Sequence, residues 1–101
     1  MNKETKEHLD LLKNNMEIFF NFLKAKYPVF HKSNFFFRDF QFGIRSFFHK
    51  KDIDISYAES EYLAKEFGKY LEENDVFIRI NNQTWKVNYP DFVTEVPGDP
   101  L

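Results

Sequence analysis

The stretch from residue 56 to residue 89 reads SYAESEYLAKEFGKYLEENDVFIRINNQTWKVNY, and its pattern decides the fold. Ser56 and Glu59 have the spacing of a capping box, in which the two side chains satisfy backbone amides at the first turn of a helix. The apolar period that follows predicts a helix to about Glu73, and the next two residues, Asn74 and Asp75, tolerate turn geometry. The predicted inner face of this helix consists of Ser60, Leu63, Ala64, Phe67, Gly68, Tyr70 and Leu71.

Residues 76–89 alternate apolar and polar side chains in two runs, one on each side of a polar loop at residues 81–84. A period of two is typical of half-buried strands, and two such runs around a short loop predict a β-hairpin. We expect the hairpin to pack one face against the preceding helix. The residues expected on that face are Trp85, Ile78, Ile80 and Val87.

The N-terminal half begins with a predicted helix over residues 4–27, which Pro28 stops. Its main apolar stripe consists of Leu9, Leu12, Met16, Phe19, Phe20, Leu23 and Tyr27. A second stripe contains Leu11, Ile18 and Phe22, at the spacings of seven and four residues that a helix-mediated dimer shows. Two interpretations of this second stripe stand side by side. Either it contacts a second copy of the chain, or the C-terminal segment of residues 92–96 folds back over it.

Residues 35–51 fit a second helix better than a strand, because their apolar alternation fails on both flanks. Ser33 is a plausible N-cap, and Gly43 inside the helix costs about 1 kcal/mol relative to alanine, which a close backbone approach would compensate. The predicted core face consists of Phe36, Phe37, Phe40, Ile44, Phe47 and Phe48. Residues 52–55 alternate over four positions and predict a short strand.

The fold class predicted from these elements is α+β, a three-helix domain with a C-terminal β-hairpin. We expect one domain over residues 1–95 and an extended tail over residues 96–101. The stretch AKEFGKYL at residues 64–71, followed by VFI at residues 76–78, resembles the helix-to-wing junction of the winged-helix superfamily. It is most similar to the DEP-type branch, so the resemblance implies a winged-helix-like fold over about a third of the chain.

Winged helices most often bind DNA by placing the last helix in the major groove with basic residues on the phosphates. Here the last predicted helix carries five glutamates against two lysines, and such a surface repels the phosphate backbone. The second helix also lacks the tryptophan of the DEP pattern, so the resemblance assigns no functional residue and no membrane or receptor role. The ordinary winged-helix mode of DNA binding is therefore disfavoured.

The composition predicts no catalytic, metal or cofactor site. The chain has no cysteine, its three histidines lie in different segments without ligand spacing, and its three glycines are isolated. The charged N-terminus and the lack of a long apolar run predict a cytoplasmic protein that does not enter the membrane. The 14 phenylalanines predict an aromatic core.

The basic residues concentrate on the second helix. Residues 28–51 carry five Lys and Arg against one Asp, while residues 52–75 carry eight Asp and Glu against two Lys. On a helical wheel one face of this helix, opposite its core face, holds Arg38, Phe42, Arg45 and His49. This face is either a solvated charged surface with one exposed ring, or a site at which the ring stacks while the cations bind an anionic partner.

Two functions remain open from the sequence. The first is a non-enzymatic, dimeric protein-interaction or adaptor module, whose partner is another protein or a second copy of the chain. The alternative is a nucleic-acid-binding regulator that uses the basic face of the second helix. The placement of charge favours the interaction module, because the last helix is acidic.

Overall fold

The computed structural model describes residues 2–90, which form four helices and three strands and confirm the α+β class. The helices are α1 (Lys3–Asn14), α2 (Met16–Lys26), α3 (Phe37–Lys50) and α4 (Tyr57–Glu73), and the strands are β1 (Asn34–Phe36), β2 (Phe77–Asn81) and β3 (Thr84–Val87). Three predictions lie outside the described residues: the tail of residues 96–101, the domain boundary at residue 95, and the folding of segment 92–96 over the second stripe of the first helix.

The three strands form one antiparallel sheet in the order β1-β3-β2. The hairpin of β2 and β3 confirms the prediction from the alternating pattern. β1 pairs with the other side of β3, where Phe35 is opposite Trp85. Because β1 leads directly into α3, the sheet fixes where α3 begins.

The core is built mainly from phenylalanine, as predicted. Phe19 lies at its centre, with its ring centroid 5.9 Å from Phe40, 5.2 Å from Phe47 and 5.6 Å from Phe67. These three contacts are edge-to-face, an arrangement that aromatic rings prefer. The fully buried aromatic residues of the described chain are Trp85, Phe19, Phe20, Phe40, Phe48, Phe67 and Phe77.

The first predicted helix is two helices, so the prediction of a continuous helix over residues 4–27 was wrong. Asn15 breaks it with φ −128° and ψ 38°. The Asn15 side chain donates to the Leu11 carbonyl at 2.8 Å and its backbone N–H donates to the Leu12 carbonyl at 3.3 Å. An asparagine side chain competes with the helical backbone in this way, and the chain turns there.

The start of the second predicted helix was also wrong. Phe35 and Phe36 belong to β1, α3 begins at Phe37, and Ser33 does not cap it. The Ser33 hydroxyl bonds the backbone of Phe30 instead, and Phe36 is 52% exposed rather than part of the core face. Pairing of residues 34–36 with β3 satisfies backbone groups that a longer helix would have bonded internally.

The predicted strand at residues 52–55 does not form, because these residues make no ladder with any described strand. Asp52 has a positive φ of 62°, which turns the chain at the end of α3. Ile55 is buried and Ile53 packs partly against the core. The alternation at these positions reflects anchoring of a loop, not a strand.

The hairpin faces the core with a different set of residues from the one predicted. Trp85 and Val87 point inward as expected, at 1% and 0% exposure, but Ile78 and Ile80 are each 48% exposed. Phe77 is the inward residue of β2, opposite Val87 in the register. Residues opposite each other in an antiparallel ladder share a face, so the inward Val87 brings Phe77 to the core side, where its ring removes a large area from water.

Only the serine half of the capping box predicted at the start of α4 is formed. The Ser56 hydroxyl accepts the Glu59 backbone N–H at 3.0 Å. The Glu59 carboxylate does not return to Ser56 but accepts from His8 Nδ1 at 2.7 Å, which ties α1 to α4. The predicted inner face of α4 is buried, with Tyr70 half-buried at its edge.

Both helical glycines lie at close approaches of neighbouring elements. A Cβ on Gly43 would collide with the side chain of Leu23 on α2, and a Cβ on Gly68 would lie 2.8 Å from Trp85 Cζ2. The expected close approach at Gly43 is therefore present.

Candidate functional site

The four residues of the predicted basic face lie exposed on the outer side of α3. Phe42 is 38% exposed, and the Arg38 guanidinium carbon lies 5.6 Å from its ring centroid. The ring of Phe42 borders two grooves. Phe42, Arg45 and His49 line one of them, whereas Arg38 and Phe42 line the other.

The first groove, here called the α2–α3 groove, runs between α2, α3 and the loop that follows α3, and it has a volume of about 970 Å³. Its lining residues are Phe22, Lys26, Phe42, Arg45, Ser46, His49, Lys50, Ile53, Asp54 and Ile55. The groove therefore combines two aromatic rings with three residues of fixed positive charge.

Phe22 places two cations on one ring. Lys26 Nζ lies 5.6 Å and Lys50 Nζ lies 5.8 Å from the Phe22 ring centroid, and the ring packs edge-to-face on Phe47 at 5.5 Å. Both lysines lie in the last turn of their helices, where cations also suit the partial negative charge of the helix end. The face of an aromatic ring attracts an ammonium group, so Phe22 holds both charges beside the groove.

The charge of the groove is not neutralised within the described residues. No carboxylate of residues 2–90 lies within ion-pair distance of Lys26, Arg45 or Lys50. The single carboxylate that lines the groove, Asp54, contacts His49 Nδ1 at 3.3 Å, and both side chains are highly exposed, at 91% and 80%. An exposed pair of this kind contributes little energy. The groove thus presents a net positive surface.

The second groove, here called the α3–α4 groove, lies on the other side of Phe42, between α3, α4 and the tip of the hairpin, and it has a volume of about 820 Å³. Glu72 lies beside Arg79 and Trp85, which line this groove. Its Oε2 accepts the Trp85 indole N–H at 2.8 Å and Arg79 Nη2 at 2.7 Å. Burial acts to raise the pKa of Glu72, but the hydrogen bonds from Trp85 and Arg79 and the charge of Arg79 outweigh it and lower the pKa below its usual value.

Sequence reasoning missed the contribution of α2 to the site. Phe22 was assigned to the second stripe of the first helix, and Lys26 to neither surface. Helical periodicity places residues on a face of their own helix and does not show which two faces border one groove. The presence of lysines in the last turns of both helices was the only signal in the sequence.

The residues predicted for a dimer contact are separated by the break at Asn15. Leu11 lies on α1 and is half-buried, Phe22 packs partly against the core, and Ile18 is 57% exposed. A dimer through Leu11, Ile18 and Phe22 stays a prediction.

The three histidines occupy separate environments. His8 contacts Glu59, His31 Nδ1 accepts the Tyr89 backbone N–H at 3.1 Å, and His49 contacts Asp54. Residues 2–90 hold no group of three His, Asp or Glu side chains arranged for a metal ion. No helix in the same part of the chain has the length and apolar character needed to cross a membrane.

The chain matches no protein-family model, no curated protein and no solved structure. The resemblance to winged-helix domains therefore stays a prediction from the sequence.

Proposed function

We propose that this chain is a cytoplasmic, non-enzymatic protein-interaction module that binds an acidic segment of a partner protein in the α2–α3 groove. The observation that carries the proposal is the pair of lysines on Phe22, since Lys26 and Lys50 lie within 6 Å of one half-buried ring and face no carboxylate in residues 2–90. A segment that carries carboxylates around one apolar side chain complements this surface in both charge and polarity.

The apolar part of the groove supports a peptide over a purely electrostatic ligand. Phe42 is exposed enough to contact a ligand, and Ile53 adds an aliphatic wall. Interfaces gain most of their energy from such apolar anchors, while charges at the rim set specificity and association rate.

The winged-helix assignment is part of the proposal. It is supported by the direct passage from α4 into the β2–β3 hairpin, although β1 lies before α3 and not at the predicted residues 52–55. Nucleic acid is the alternative ligand of the basic face. The acidic outer side of α4 argues against duplex DNA. In the winged-helix mode this helix would enter the major groove of the DNA, and it carries Glu61, Glu66 and Glu73.

A display library of random twelve-residue peptides tests the proposal. We expect the enriched peptides to be acidic and to contain an aromatic or aliphatic residue. The double variant Lys26→Glu/Lys50→Glu should weaken the binding of an enriched peptide by about tenfold or more in a fluorescence anisotropy titration. The double variant Lys3→Glu/Lys86→Glu changes the net charge equally at exposed positions away from the groove and should change the affinity by less than about threefold.

Two results would contradict the proposal. Enrichment of peptides without an acidic bias would show that the cations do not select the partner. Equal weakening by both double variants would show that only the overall charge matters. Tighter binding of a 20-base-pair duplex DNA than of any enriched peptide, with that binding lost in Lys26→Glu/Lys50→Glu, would favour the alternative function.

A further inference from the structure

The α3–α4 groove is lined by aromatic rings. Its floor is formed by Trp85, which is 1% exposed, and its walls include the rings of Tyr57, 58% exposed, and Phe42, 38% exposed. Exposed aromatic rings on two helices offer flat apolar surfaces to a planar ligand.

A buried amide with one unsatisfied atom also lines this groove. Gln41 is 5% exposed, and its Nε2 donates to Ser60 Oγ at 3.0 Å and to the Tyr57 carbonyl at 3.4 Å. The Ser60 hydroxyl donates its own proton to the Tyr57 carbonyl at 2.7 Å, so it can only accept from Gln41. This network fixes the orientation of the amide, with both N–H groups toward α4.

The other atom of the amide, Gln41 Oε1, accepts no hydrogen bond from any of residues 2–90. A buried acceptor without a donor is costly, and native proteins rarely retain one. Since Gln41 lines the groove and its nitrogen is committed to α4, the oxygen is the polar atom that it offers to a ligand. A ligand that donates an N–H there would satisfy it.

The rim of the groove is cationic. Arg38 faces no carboxylate of the described chain within ion-pair distance, and Lys65 contacts Glu61 only at 3.9 Å with both side chains largely exposed. Lys69 and Arg79 are more strongly paired, with Glu66 at 3.3 Å and Glu72 at 2.7 Å. Arg38 and Lys65 are therefore the cations best able to hold an anionic group.

We propose that the α3–α4 groove binds a nucleotide through its base and its phosphate, either as a free nucleotide or as a nucleotide within a single strand. The base stacks between exposed rings and donates an N–H to Gln41 Oε1, while Arg38 and Lys65 bind the phosphate. Each of the four common bases carries at least one N–H donor on its edge. One planar base can therefore stack on the rings and donate to Gln41 Oε1 at the same time. This site shares the Phe42 ring with the α2–α3 groove but no other lining residue, and it does not depend on the proposed partner.

The experiment is a titration followed by NMR, because the chain has one tryptophan, Trp85, which lines this groove and whose indole N–H is held by Glu72. The probes are the four ribonucleoside 5′-monophosphates, ribose 5-phosphate, and a ten-nucleotide single-stranded RNA of mixed sequence. We expect the indole resonance to shift with at least one monophosphate, and ribose 5-phosphate, which lacks the base, to bind about tenfold or more weakly. Binding of the RNA without binding of any monophosphate would support the same chemistry with the strand as its source.

Two variants test the assigned residues. Gln41→Met removes the acceptor at similar volume, and the Ser60 hydroxyl loses the Gln41 donor but keeps its own bond to the Tyr57 carbonyl. We expect it to weaken base binding about fivefold or more. Arg38→Glu lies on the surface and should weaken the binding of nucleotide and ribose 5-phosphate alike by about tenfold, while the exposed control Lys86→Glu should not.

The proposal fails if none of the probes shifts the indole resonance at 10 mM, because the Kd of every probe is then weaker than about 10 mM. It also fails if ribose 5-phosphate binds as tightly as the nucleotides, because the groove then holds an anion without reading a base. If Gln41→Met does not fold, the comparison of nucleotide with ribose 5-phosphate in wild type and Arg38→Glu still decides the outcome.

Discussion

The two sides of α3 carry the same aromatic residue type in opposite surroundings. Phe40 is fully buried, with its ring centroid 5.2 Å from both Phe77 and Trp85. Phe42 is 38% exposed, and the Arg38 guanidinium group lies over its ring. Two residues along a helix are about 200° apart, so neighbouring phenylalanines serve either the core or the surface. The lesson is that a residue type does not identify a site; the charge and burial of its neighbours do.

The largest expected effect separates these two phenylalanines directly. Phe40→Ala should lower the free energy of unfolding by about 3–5 kcal/mol, because it leaves a cavity among packed rings. Phe42→Ala should lower it by less, about 1–2 kcal/mol, since the ring is only partly removed from water on folding. Urea denaturation of both variants measures the difference. A large loss in Phe42→Ala would mean that the ring supports the core and does not border two grooves.

A smaller effect is expected on the inner side of α3, where α2 approaches. Gly43→Ala gains about 1 kcal/mol of helix propensity, but its Cβ would collide with the end of the Leu23 side chain, which is fully buried and would have to shift within the core. We expect a net loss of about 1–2 kcal/mol by urea denaturation. Ser46→Ala on the same helix meets no such contact and serves as the control. If Gly43→Ala were stabilising, α2 would lie further from α3 than described.

The smallest expected effect is the contribution of Glu72 to the pH dependence of stability. Its pKa in the folded protein is lowered, so ionised Glu72 stabilises the fold above the usual glutamate pKa of about 4.3, and this contribution is lost as the pH falls through the lowered value. We expect the urea midpoint to fall between pH 7 and pH 3 by less in Glu72→Gln than in the wild type. The amide oxygen of the variant still accepts from the Trp85 indole. Equal falls in the two proteins would show that Arg79 does not hold the carboxylate in solution.

The elements with one dominant pattern could be predicted from the sequence. The inner face of α4, the capping serine at residue 56 and the hairpin were confirmed, because each follows from local periodicity and local hydrogen bonds. The exposure of Arg38, Phe42, Arg45 and His49 also follows from the phase of α3, which the core phenylalanines set.

Elements decided by distant contacts could not be predicted. β1 forms at residues 34–36 because β3, about fifty residues later, pairs with it. The choice of Phe77 over Ile78 as the inward residue of β2 depends on its pairing with the inward Val87 of β3, since the alternation within β2 favours the set of Ile78 and Ile80. The α2–α3 groove requires two helices to meet, and the periodicity of a single helix carries no information about its neighbour.

The direct join between β1 and α3 has a consequence for how the surface can vary. Phe36 is both the last residue of the strand and the N-cap of the helix, and the Phe37 backbone N–H donates to the Gln83 carbonyl at 2.8 Å. No loop separates the two elements, so one inserted or deleted residue in the strand would turn α3 by about 100° and replace one groove wall with another. Residues on the outer side of α3 can therefore be exchanged one at a time, whereas the length of the segment that precedes them cannot change.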